Sequence, residues 1–195
     1  MTAPEKTTSE NIFRSHGFGK VAPWVDLANS LEWDGFGNLS DRIDDPLWLA
    51  SFLRHWNFRP PASERAPLIA LQRLRRLLRA IAEKIAAAKQ LSHAETAALN
   101  TALSVPVRQK LIQRQNGYRN ALIPLRANWN WILASIAASA AETLAGQQSA
   151  RIKICANRDC RWLFYDPTKA RSKRWCNDRT CGNRARVRRS RAASN

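Results

Sequence analysis

All four cysteines of this 195-residue chain fall within one short segment, as Cys155-x4-Cys160 and Cys176-x4-Cys181 with fifteen residues between the pairs. Disulfide-stabilised secreted chains spread their cysteines through the fold, whereas two close pairs read as a metal site. Zinc takes four soft ligands in a tetrahedron, and two short turns can converge on one ion. Between the pairs, RWLFYD reads as a strand, DPTKARSK as a turn and RWC as the returning strand, so the expected scaffold is a β-hairpin. An iron–sulfur cluster and a redox disulfide pair use the same residue type and stay open as alternatives. Two symmetric knuckles on a hairpin favour Zn²⁺ on Cys155, Cys160, Cys176 and Cys181. With four thiolates the site is closed, hence structural rather than catalytic.

The same segment is strongly basic. From Arg151 onward there are 14 Lys/Arg against 3 Asp/Glu, while the first 150 residues carry 18 against 12, within a formal net charge of +17. Such asymmetry points to an anionic partner. After Cys181 the run GNRARVRRSRAASN predicts a helix over about 179–192, capped by Asp178 or Thr180. Arg184, Arg188 and Arg191 then share one face, bordered by Arg186 and Arg189. An arginine helix on a zinc scaffold can meet phosphates and the major groove. Lys169, Arg171 and Lys173 on the hairpin turn add phosphate contacts. Arg158, Arg161 and Arg174 read as offsetting the thiolate charge.

The rest of the chain reads as helical. Residues 1–20 suggest a loose arm. PWVDLANSLEW (23–33) predicts a short helix broken by DGFGN. A second helix starts at Asp44 or Asp45 with Pro46 in its first turn. The clearest helix follows Ser63-Glu64 and aligns Leu71, Leu74, Leu78, Ile81 and Ile85, with Arg73, Arg75, Arg76 and Arg79 on a solvated face. Ser92 and Glu95 have capping-box spacing. Asn116-Gly117 between two β-tolerant runs predicts a hairpin over 105–125, and a helix over about 128–145 ends at Gly146. The fold class is therefore mainly α with a small β-hairpin: a helical domain over 1–150 and a zinc module over 151–195, with the boundary near 147–150.

Cys181-Gly182-Asn183-Arg184, preceded by CANRDCRWLFYDPTKARSKRWC, resembles the CGNR zinc-finger family, including Phe164-x-Asp166 and Arg174-Trp175-Cys176. The DLANS segment (26–30) is similar to the ABATE domain that accompanies it, with Asn29-Ser30 where that family tends to show Asn-Thr. The resemblance implies a helical N-terminal domain, one Zn²⁺ on the four cysteines and a DNA-binding role in stress-induced bacterial transcription regulation.

The expected function is a zinc-dependent DNA-binding regulator, DNA being favoured over RNA, whose N-terminal domain senses a small-molecule effector or forms a homodimer. The alternative is a zinc-stabilised module that docks an acidic protein. No run of about twenty apolar residues predicts a membrane span, and no apolar leader follows the N-terminus. The expected place is the cytoplasm, at the nucleoid. Scattered His16, His55 and His93 and the lack of a phosphate-cradling glycine loop argue against an enzyme. A tryptophan-lined pocket at Trp24, Asn29 and Trp33, near Glu32 and Asp34, is the candidate effector site, set against a plain hydrophobic core.

Overall fold

A computed structural model describes residues 22–146 and 149–194. The arm expected over 1–20 lies outside the described residues. Helix α1 (Pro23–Asn29) is followed by strands β1 (Leu31–Trp33) and β2 (Leu39–Asp41), then α2 (Pro46–His55), α3 (Leu68–Ala86) and α4 (His93–Leu103). A hairpin of β3 (Val107–Arg114) and β4 (Gly117–Pro124) leads to α5 (Trp129–Ala145). The C-terminal part is a 3-10 turn (Ser149–Arg151), β5 (Ile152–Ile154), β6 (Leu163–Tyr165), a π-helical turn (Asp178–Gly182) and α6 (Asn183–Ala193).

Local capping fixes several starts. Asp45 accepts from Leu47 N at 2.9 Å to open α2, and Ser92 and Glu95 form the reciprocal capping box of α4. The first helix is shorter than its sequence suggests. Ser30 turns its hydroxyl back onto Leu27 O, and Leu31–Trp33 pairs antiparallel with Leu39–Asp41 instead of continuing the helix. Asp34 holds the connecting turn by accepting from the amides of Phe36 and Asn38 and from the Asn38 side chain. Gly35 and Gly37 supply its positive φ values of 84° and 102°.

The β3–β4 hairpin is as expected, with its turn one residue early. Arg114 pairs with Gly117, which puts Gln115 and Asn116 in the turn and Gly117, at φ 131°, at the head of β4. Because paired residues share a face, the ladder sorts cleanly. Val107, Leu111, Tyr118 and Leu122 lie on an uncharged face and are all exposed, while Arg108, Lys110, Arg114 and Arg119 lie on the other.

The core gathers Trp24 and Leu27 of α1, Phe52 of α2, Leu71, Leu78 and Ile81 of α3, and Ile132 and Ile136 of α5. Ile152 of β5 and Leu163 of β6 complete this same cluster. The cysteine-bearing part is thus seated on the helical part through apolar burial. Two α3 arginines depart from the solvated face expected of them. Arg75 and Arg79 are only 6% and 9% exposed. Arg75 forks onto both oxygens of Asp41 at 2.5 and 2.6 Å and donates to Ser30 Oγ. Arg79 donates to the Arg161 carbonyl at 3.0 Å. Both are buried because loops distant in sequence bring acceptors to them.

Candidate metal centre and nucleic-acid interface

The first knuckle, Cys155–Cys160, is the loop that joins β5 to β6. Ile152–Ile154 pairs with Leu163–Tyr165, and Cys155 N donates to Trp162 O at 2.8 Å. This corrects the expected hairpin: RWLFYD is a strand, but its partner precedes the first cysteine, and Arg174–Cys176 forms no strand. What links the second knuckle to the first is a bond from Ala156 N to Arg174 O. Inside the first knuckle, the Asn157 carbonyl accepts from the amides of Cys160 and Arg161, with Arg161 at φ 49°. The second knuckle is wound into the π-helical turn. Its cap is Asn177, whose side chain accepts from Arg179 N and Thr180 N, rather than the expected Asp178 or Thr180.

All four Sγ atoms lie within 4.8 Å of one another. The Cys160–Cys176 and Cys176–Cys181 separations are 3.7 and 3.9 Å. A tetrahedron of thiolates about 2.3 Å from zinc has edges of about 3.8 Å, whereas a disulfide needs about 2.05 Å. The cysteines are accordingly free. Three of the ligands are buried, so their thiolates cannot all carry charge unaided. Hydrogen bonds from Cys160 and Cys176 hold the Cys155 thiol low, and that same proximity pushes Cys160 and then Cys176 up. A divalent cation at the centre of the four sulfurs removes this conflict. Buried Asn157, its Nδ2 3.7 Å from Cys181 Sγ, supports the site from behind.

Residues 151–193 match the CGNR zinc finger. Residues 22–147 match the ABATE family, described as "Putative stress-induced transcription regulator". The chain belongs to the ABATE family and ends in a CGNR zinc finger. No curated protein matches it.

Each letter of the zinc finger's motif has a visible task in this ABATE-family chain. Cys181 is the fourth thiolate. Gly182 sits where a Cβ would meet Asp178 Oδ1 at 3.3 Å and the Trp175 ring at 3.5 Å. Asn183 begins α6. Arg184 reaches back to the helical part: its guanidinium stands 3.9 Å from the centre of the Phe36 ring and donates to Asp34 O. A Cβ on Gly35 would fall 1.9 Å from Arg184 Nη1, so the β1–β2 turn is shaped to admit this side chain.

These contacts revise the helix face read from sequence. Arg184 is half-buried against Phe36, and Arg188 pairs with Asp159 at 2.5 Å and with Asn157 Oδ1 at 3.3 Å. Arg184 thus packs α6 against the β1–β2 turn, while Arg188 stays exposed in its pair with Asp159. Arg186 touches Asp178 O at 3.3 Å yet stays exposed, as do Arg189 and Arg191. Beyond offsetting the thiolate charge, Arg158 and Arg174 join Arg188 and Arg189 around a hollow of about 240 Å³ beside Trp175. Their fork-bearing type was visible in the sequence; their convergence was not.

The loop with Lys169, Arg171 and Lys173 is organised by fully buried Asp166. Burial alone would raise its pKa. Bonds from Thr168 Oγ1 and N, Lys153 Nζ and Lys173 N outweigh that and hold the carboxyl far below the usual range. Lys169 and Arg171 are exposed, while Lys173 is half-buried over the Phe164 ring.

Among the described residues, the side chains expected to line a pocket at Trp24, Asn29 and Trp33 are engaged in other contacts. Trp24 is fully buried in the core, its Nε1 donating to Thr143 Oγ1 at 2.9 Å. Trp33 is held between the guanidiniums of Arg79 and Arg161, each 5.5 Å from its ring centre. Asn29 clamps β6: its Nδ2 donates to Leu163 O at 2.9 Å and its Oδ1 accepts from Leu163 N at 2.8 Å. Core packing of Trp24 and the Asn29 clamp engage two of these three groups within the protein itself.

Proposed function

We propose that the zinc finger binds duplex nucleic acid, DNA in the first instance, through a phosphate grip centred on Arg158, Arg174 and Arg189. The observation that carries this reading is the hollow beside Trp175: four arginines line it, and the carboxylate beside it, Asp159, is already on Arg188. Like charges converge this way at the cost of mutual repulsion, which an oxyanion of a backbone phosphate relieves through arginine's planar fork. Exposed Arg186, Arg191, Lys169 and Arg171 widen the surface around it, and zinc supplies the fixed scaffold. In this reading the chain is a non-catalytic regulator acting at the nucleoid.

The test is fluorescence anisotropy of a 20-base-pair duplex across a salt series. Each neutralised phosphate contributes a slope of about 0.9 in log K against log salt. The wild type should show a slope of about 3 or steeper. Replacing Arg158, Arg174 and Arg189 by Ala should remove about 0.9 of it, the one phosphate the hollow holds, while the protein still holds one zinc per chain. A flat salt response overturns the proposal. Equal affinity for duplex and for heparin would instead favour docking of an acidic protein.

A further inference from the structure

A second concave surface lies away from the zinc finger, where α3, α4 and the start of α5 meet the base of the β3–β4 hairpin. It is a cleft of about 880 Å³, within the size range of small-molecule sites. Leu77, Ala102, Leu133 and Trp131 are among its walls, and Arg73 and Arg126 line it as well. None of its seventeen lining residues is an Asp or Glu. Among the described residues neither arginine has an ion-pair partner, and both are exposed. The amino end of seventeen-residue α5 opens onto the same cleft through Asn128 and Asn130, and its dipole adds positive potential there. A largely apolar cleft lined by two unspent guanidiniums is complementary to an anionic head on an apolar body.

We propose that this cleft is an effector site for a small amphipathic carboxylate, its apolar body between α3, α4 and α5 and its carboxylate on Arg73 and Arg126. The chamber has room for a medium alkyl chain or a fused aromatic ring, so the shared chemistry is the acid head on an apolar body. The assignment moves the effector site from Trp24, Asn29 and Trp33 to the opposite side of α3. It does not rest on the nucleic-acid reading.

The experiment uses the full zinc-loaded chain and displacement of 8-anilinonaphthalene-1-sulfonate fluorescence. Decanoate and 2-naphthoate serve as competitors, with decanol and decylammonium as matched neutral and cationic controls. At least one carboxylate should displace the probe, at concentrations tenfold or more below both controls. Arg73→Gln with Arg126→Gln should weaken that carboxylate about tenfold or more while leaving decanol unchanged. Ala102→Trp, checked for native circular dichroism, should weaken displacement by narrowing the cleft; the arginine variants decide the question if that protein does not fold. Equal competition by the controls, no displacement by either acid, or full affinity in the double arginine variant overturns the proposal. Which of the two acids binds better distinguishes an alkyl from an aromatic ligand.

Discussion

Replacing Asn29 by Ala removes both halves of the clamp that joins α1 to β6, across 134 residues of chain. The Leu163 N–H and C=O then lose their partners in a region where Leu163 itself is 1% exposed. An orphaned buried polar group costs about 1–3 kcal/mol. Two groups, one of them re-bonded by a water in the space left behind, leave one orphan and a net loss of about 1–3 kcal/mol. Urea unfolding of the zinc-loaded protein, followed by far-ultraviolet circular dichroism, measures it directly. Asn29→Asp sharpens the test. Its carboxylate can still accept from Leu163 N but repels the Leu163 carbonyl, so burial and that carbonyl raise its folded-state pKa. The protonated acid donates as the amide does. The contribution is therefore present below the unfolded value of about 4 and lost as pH rises through the folded one. The Asp variant should recover stability relative to the Ala variant on acidification. A loss below about 0.5 kcal/mol for Asn29→Ala, or no acid recovery, would show that the clamp is incidental.

Zinc removal should be felt beyond its own ligands. Since Ile152 and Leu163 belong to the helical core, a strong chelator should lower the melting temperature of the helical signal, and an unchanged helical transition would refute the shared core. The Arg75–Asp41 pair makes an acid-side prediction. Hydrogen bonds from Arg75 hold the Asp41 carboxyl below its ordinary value, so its contribution is full above about pH 4 and lost as pH falls through the lowered folded value. Asp41→Asn, which leaves buried Arg75 without a counter-charge, should cost roughly 3 kcal/mol at neutral pH and flatten that acid limb; unchanged stability in urea would refute it.

What the sequence discloses here is what is decided locally. Asp45 caps α2 and Ser92 with Glu95 caps α4 because the partners are within one turn. The two cysteine pairs declare a metal because thiolates so placed have few other uses. The misreadings share a cause. RWLFYD was rightly a strand, but nothing within it specifies whether it pairs forward with Arg174–Cys176 or backward with Ile152–Ile154. The solvated reading of Arg75 and Arg79 followed correctly from the leucine stripe, and it failed because Asp41 and the Arg161 carbonyl arrive from elsewhere. Arg184 and Arg188 look free on a helical wheel for the same reason, since Phe36 and Asp159 lie off that helix. Asn29 stands out in sequence as a motif residue, yet its role needs Leu163 to be in place.

Helix α3 lines the proposed cleft and also holds Arg161, next to the first cysteine knuckle, and its spacing says how. Ala70, Arg73, Leu74 and Leu77 line the cleft, while Arg79 and Glu83 hold the Arg161 carbonyl and guanidinium. At 3.6 residues per turn these two groups lie on opposite sides of the helix. A ligand that wedges against the first side bears on the segment that carries the first cysteine knuckle on the second. Linkage then demands a symmetric result. If decanoate at saturation changes duplex affinity by some factor, duplex at saturation must change decanoate affinity by the same factor, and couplings of this kind run at about 5–150-fold. Glu83→Gln, which weakens the exposed 2.8 Å pair with Arg161, should reduce that factor while leaving each separate affinity near its wild-type value. Binding of the two ligands without mutual effect would mean that α3 acts as a passive wall. Equal factors that Glu83→Gln leaves unchanged would mean that the coupling runs through the core rather than through this contact.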